Sequence, residues 1–122
     1  MDINVNDALS AFGALSQKTR LEVFRLLVGA GPAGMVAGEI GEALGVRQNT
    51  MSANLSVLLQ AGLVRNEREG RTVRYFADME TTKGLLTFLM ADCCGGHPQL
   101  CAQVLEAVAC RKLSFVQGDS NV

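Results

Sequence analysis

Residues 46–64 read VRQNTMSANLSVLLQAGLV, and the fold follows from what this stretch puts on each side of a helix. Its apolar residues Met51, Leu55, Leu58 and Leu59 recur with a period of about 3.6 and form one stripe. The opposite side carries Asn49, Ala53, Ser56 and Gln60, flanked by Thr50, Ser52 and Asn54. That side is small, polar and uncharged, whereas a solvated surface helix usually carries Glu and Lys pairs. Short amides and hydroxyls suit a helix that lies against base edges and phosphates in a major groove. Ala61-Gly62-Leu63-Val64 ends the helix, with Gly62 just past its C-terminus, and leads into a strand. An ordinary amphipathic helix with a bland outer face also accounts for this stretch read alone. Its neighbours decide between the two.

Upstream, Ala37 to Leu44 sets Ile40, Ala43 and Leu44 on one face of a brief helix, and Gly45-Val46 turns into the next. Two helices joined by a short glycine-containing turn, the second polar outside, form a helix-turn-helix pattern. Downstream, residues 64–68 and 71–76 read as two strands joined through Glu69-Gly70. A hairpin directly after a helix-turn-helix is a wing. Arg68 and Arg71 bracket its tip, where cations meet phosphates or enter the minor groove. Simple solubility of an exposed strand explains either arginine singly; the order and spacing of all three elements point to DNA.

The rest of the chain sets bounds. Its 122 residues make one domain with one core. Apolar content is 48%, yet no apolar run reaches the roughly 18 residues of a membrane span. The start, MDINVNDALS, lacks the features of a signal peptide, so a cytoplasmic protein is expected, with its four cysteines reduced. Net charge is −1, but residues 47–78 carry five arginines against three acids, which places a small basic excess where DNA binding needs it.

Residues 5–15 place Ala8, Leu9, Phe12 and Leu15 on one helical face. Ser16 is expected to cap a second helix, Lys18 to Val28, with Leu21, Phe24, Leu27 and Val28 as its core stripe. GAGPAG at 29–34 is a loop, and Met35-Val36 is a very short strand. Thr81 to Asp92 is a fifth helix whose Leu85, Leu86, Phe88, Leu89 and Met90 exceed what the edge of a small domain needs. With the first helix it reads as a dimer interface, giving a two-fold reader of an inverted repeat; a second face of the core is the plainer account. Pro98 restarts a helix, and Leu100, Cys101, Val104, Leu105 and Val108 carry its stripe.

The sequence DCCGGHPQLC at 92–101 is the chemical signal. Two adjacent thiols sit at a helix end, a Gly-Gly turn follows, and a third thiol lies in the first turn of the next helix. The glycines would let Cys93, Cys94 and Cys101 converge on one soft, thiophilic centre. Zinc prefers four ligands and wider cysteine spacing; His97 or Cys110 would complete a site for zinc, cadmium or lead. Charge counting favours trivalent arsenic or antimony, because three thiolates neutralise a 3+ centre. As(OH)₃ exchanges its three hydroxyls for three thiols and releases three waters. Its binding should therefore depend less on pH than that of a divalent ion, which displaces thiol protons. Buried structural cysteines and a redox pair formed by Cys101 with Cys93 or Cys94 are the competing accounts. One histidine and no phosphate loop give no sign of catalysis, so no enzyme is expected.

Lys18-Thr19-Arg20-Leu21, Ile40–Val46, Ser52-Ala53-Asn54-Leu55-Ser56-Val57-Leu58, Ala61-Gly62-Leu63-Val64 and Arg68-Glu69-Gly70-Arg71 with Tyr75 together resemble the ArsR/SmtB family of winged-helix metalloregulators. The resemblance covers roughly Leu9 to Phe76. It departs at Asn54, where the family commonly has histidine. It implies a mainly α fold with a β-hairpin wing, a winged helix-turn-helix dimerising through its first and fifth helices. Residues 1–113 would form the DNA-binding and dimerisation domain including the cysteine site, and 114–122 a flexible tail. Residues 37–46 contain no cysteine and 79–91 no histidine, so two of the family's effector sites are absent. What remains is similar to the arsenite-responsive type, which makes Cys93, Cys94 and Cys101 the ligands of As(III) or Sb(III) as inducer. Gln48, Asn49, Thr50, Ser52, Asn54 and Ser56 would face the major groove of double-stranded operator DNA, with Arg68 and Arg71 in the wing. The chain is then expected to be a homodimeric repressor of arsenic-resistance genes. A redox- or divalent-metal-responsive repressor on the same fold is the alternative. From another class, a thiol protein sequestering metal or a thiol enzyme would use the helix-turn-helix only for protein contacts.

Overall fold

Two glycines with positive φ frame the central helix. In the computed structural model, which describes residues 3–96, 99, 100 and 102–108, helix α3 (Ala37–Leu44) closes at Gly45 and helix α4 (Gln48–Gln60) at Gly62, with φ of 66° and 78°. Both ends are Schellman motifs. Val46 N–H donates to the Gly41 carbonyl at 3.0 Å after α3, and Leu63 N–H to the Leu58 carbonyl at 3.0 Å after α4. A side chain at either glycine would meet the left-handed penalty, so these residues set where the chain turns. The α3 boundaries are those expected from the sequence, and Gly62 stands where the pattern put it.

Before α3 come helix α1 (Val5–Leu15), helix α2 (Lys18–Ala30), a 3₁₀ turn at Gly31–Ala33 and strand β1 (Met35–Val36). After α4 come β2 (Val64–Glu69), β3 (Thr72–Ala77) and α5 (Met79–Gly96). The three strands form an antiparallel sheet in the order β1-β3-β2, with Met35 opposite Tyr75 and Arg65 opposite Phe76. The hairpin turns at Gly70-Arg71, between the paired Glu69 and Thr72, one residue later than expected. Mainly helical winged helix-turn-helix architecture is thus established, with the wing widened to three strands by β1.

The core gathers Val23 and Leu27 of α2, Ile40 of α3, Met51, Leu55 and Leu58 of α4, Leu63, Val64 and Leu85. Burial of each large side chain is worth about 1.5–3 kcal/mol. Two helices present faces that match expectation only in part: Ala8 and Leu27 are buried as expected, and other positions differ. In α1 the buried residues are Ala8, Ala11 and Ala14, while Leu9 is 62% exposed. Small side chains let α1 approach α2 and α4 closely, and its bulkier residues lie to the side or outside. In α2, Val23 and Leu27 define the inner face at i, i+4, leaving Leu21 and Val28 exposed. Its N-cap is Gln17, not Ser16: Gln17 Oε1 accepts from Arg20 N–H at 2.8 Å. Ser16 instead caps the end of α1, donating from Oγ to the Gly13 carbonyl at 2.7 Å.

The chain divides into two units, Met1–Leu85 and Leu86–Val122. In the second, α5 continues through Cys93, Cys94, Gly95 and Gly96, so the glycines occupy its last helical positions where a turn was expected. Residues 99, 100 and 102–108 are helical. His97, Pro98, Cys101, Cys110 and the expected tail 114–122 lie outside the described residues, as do the side chains of Cys93 and Cys94. Among the described residues no helix is long and apolar enough to cross a membrane.

Candidate nucleic-acid interface

Helix α4 divides cleanly around its circumference. Met51, Leu55 and Leu58 are buried, which turns Gln48, Asn49, Thr50, Ser52, Ala53 and Ser56 outward into solvent. None of these exposed side chains is charged or large. Bases and phosphates therefore have donors and acceptors within reach, without a long side chain holding the backbone away. The helix begins at Arg47, which has extended backbone and offers no side-chain cap. Asn49 Oδ1 accepts from Thr50 N–H at 2.8 Å, satisfying one of the first-turn donors.

Asn54 departs from this face. It is 6% exposed and lies on the core side with Leu55 and Leu58. Its Oδ1 accepts from Arg20 Nη1 at 3.3 Å, while Arg20 Nε donates to the Ala14 carbonyl at 2.7 Å. The expected groove contact is corrected: positions 51, 54/55 and 58 form one helical stripe, so Asn54 faces inward with the leucines. What permits an amide there is a partner on another helix, invisible in the local pattern.

The wing separates its charges by strand face. Glu67 lies opposite Arg74, and Arg65 opposite Phe76, on the same side of the ribbon as Glu69. There Arg65 stacks on the Phe76 ring at 4.4 Å and pairs with Glu67 at 3.4 Å. Arg74 pairs with Glu69 at 2.9 Å and donates to the Ala33 carbonyl at 3.1 Å. Donating that hydrogen bond to the Glu69 carboxylate raises the Arg74 pKa above the usual arginine value. Both wing acids are thereby answered within the hairpin. Arg68, on the other face, and Arg71, in the turn, are exposed and have no side-chain hydrogen bond or ion pair among the described residues. The same holds for Arg47, a cation the sequence pattern left out, although its place immediately before the helix start could have drawn notice. The near-zero net charge thus hides three unanswered cations, one just before the uncharged polar helix and two at the tip of the wing that follows it.

Residues 15–67 match the family described as a helix-turn-helix domain. The chain is 36% identical over 89 residues to the "Putative arsenical resistance operon repressor ArsR2" of Halobacterium salinarum, covering 73% of this chain and 72% of that protein. It belongs to the ArsR family of helix-turn-helix transcriptional regulators. Among solved structures, the ArsR-like regulator of Rhodococcus matches with a TM-score of 0.65 at 27% identity, over 84% of this chain and 93% of that one. A homodimeric winged helix-turn-helix DNA-binding domain from Mycobacterium bovis matches with a TM-score of 0.59 at 28% identity, over 76% and 85% of the two chains. As an ArsR-family member the chain is a DNA-binding regulator and not an enzyme. Among the described residues no grouping of three His, Cys, Asp or Glu could hold a metal.

Proposed function

We propose that this ArsR-family chain is an arsenite- or antimonite-responsive repressor that binds an inverted-repeat operator as a homodimer and releases it when the trivalent ion binds. The observation that carries the DNA half is the uncharged, outward face of α4 flanked by unpaired arginines. Gln48, Asn49, Thr50, Ser52 and Ser56 enter the major groove, and Arg68 and Arg71 hold the flanking backbone or minor groove. Two half-sites lie about one helical turn (~34 Å) apart.

Homodimerisation is supported by large apolar side chains left in solvent: Val5 and Leu9 on α1, and Leu86, Phe88 and Leu89 on α5. The homodimeric relative from Mycobacterium bovis agrees with it.

The inducer half rests on the donor set. Cys93 and Cys94 are consecutive on the last turn of α5, and Cys101 follows seven residues after Cys94. Three thiols with no carboxylate among them fit a soft trivalent ion. The name of the Halobacterium relative points to the same ion. Binding draws the two cysteine-bearing segments together, alters the dimer seam and spoils the spacing of the recognition helices. Reciprocity requires that DNA weaken arsenite binding by the same factor.

The deciding experiment is a Cys93→Ser variant titrated with arsenite while bound to DNA from just upstream of its own gene. The variant should bind that DNA like the parent and stay bound throughout the titration. Release of the variant at the parent's arsenite concentration would contradict the ligand assignment, and release only on oxidation would favour a redox switch.

A further inference from the structure

We infer that Arg20 is a positioning residue for DNA binding, setting the pose of the recognition helix through its bond to Asn54. The inference rests on α4 being the helix that reads DNA. Arg20 stands in the first turn of α2, with its own N–H held by Gln17. Its guanidinium reaches two other helices at once: Nε donates to the Ala14 carbonyl in the last turn of α1, and Nη1 to Asn54 Oδ1 in the middle of α4. Ala14 offers one of the carbonyls that a helix end leaves without an internal partner, at the negative end of the α1 dipole. A guanidinium only donates, so the amide must present its oxygen.

Asn54 is the one buried polar residue among the described residues, and exposed Ser52, Ala53 and Ser56 lie within two positions of it. The apolar stripe of α4 resists removal from the core but discriminates weakly against small rotations or slides, because hydrophobic burial has no direction. A hydrogen bond does have direction and weakens steeply with misalignment. The Arg20–Asn54 bond therefore fixes the rotation of α4 that aims Ser52 and Ser56 outward. Through the second donor the same guanidinium ties that rotation to α1, where Val5 and Leu9 face solvent. A shift of α1 at a dimer seam would reach the reading face through this side chain.

Two variants test this. Asn54→Leu fills the stripe with an apolar side chain of similar size and leaves the half-buried Arg20 on the Ala14 carbonyl, so the melting temperature should not fall. Its affinity for the upstream duplex should nevertheless weaken by about tenfold, mid-range for coupling within one network. Amide hydrogen exchange across residues 47–60 should quicken. Arg20→Lys keeps the charge but cannot bridge both oxygens, and should weaken DNA binding similarly even if Asn54→Leu fails to fold. Asn54→His, whose neutral ring nitrogen still accepts, should restore affinity. Affinity and exchange like the parent's in both Asn54→Leu and Arg20→Lys would overturn the inference. If the parent itself binds no DNA, the proposed function fails instead, and exchange alone decides whether Arg20 holds α4 in place.

Discussion

Helix α4 and the stretch of α5 from Leu86 to Met90 both carry large apolar residues and treat them differently. Met51, Leu55 and Leu58 of α4 are at most 1% exposed, whereas Leu86 and Leu89 of α5 are more than half exposed. The helical stretch at 102–108 repeats the α5 pattern, with Val104, Leu105 and Val108 in solvent. Within the unit ending at Leu85, α4 buries its apolar stripe and presents a polar face outward, while Val5 and Leu9 of α1 stay in solvent. Among the described residues of the unit beginning at Leu86, most large apolar side chains lie in solvent. Under the function proposed above, recognition would belong to the α4 face, and assembly and effector sensing to the segment whose apolar side chains stay in solvent.

The largest expected effect breaks the first side of that comparison. Leu58→Ala should cost about 2–5 kcal/mol of unfolding free energy, measured by urea titration, because Leu58 is fully buried. A cost like that of a surface substitution would show that α4 does not depend on the core. The next targets the second side. Leu86→Glu with Leu89→Glu should leave the fold's stability almost unchanged but dissociate the dimer in sedimentation. Operator affinity should then fall by roughly 100-fold or more as the two half-sites are no longer read together. A dimer that survives both charges would move the interface elsewhere.

Those two effects test parts of the molecule that the sequence disclosed unequally. The α4 stripe, the turn at Gly45, the stop at Gly62 and the wing were legible because each is announced within a few residues by period or punctuation. The inner faces of α1 and α2 were legible only in part. Ala8 and Leu27 are buried as the pattern has them, but Leu9, Leu21 and Val28 suggest a core by size, whereas Ala11, Ala14 and Val23 are what the neighbouring helices admit. Asn54 was misplaced for a related reason: its chemistry resembles that of Asn49 and Ser52, while its orientation and its partner Arg20 are set by the fold. The cysteine motif was conspicuous in sequence, and its convergence on an ion remains a proposal tested by the Cys93→Ser titration.

Smaller effects sharpen the wing. Replacing Arg68 or Arg71 by Ala should each reduce the slope of log affinity against log salt by about 0.9, the signature of one lost phosphate contact. Arg74→Ala should leave that slope unchanged, because Arg74 is engaged with Glu69 and the Ala33 carbonyl. Equal slopes for all three variants would contradict the division between answered and unanswered arginines.

The most direct measurement is fluorescence anisotropy of the reduced protein on duplex DNA from upstream of its own gene, titrated in parallel with arsenite and with zinc. The account predicts tight, salt-sensitive binding, release at near-stoichiometric arsenite, and no release by zinc. Tight binding that persists through the arsenite titration would contradict it.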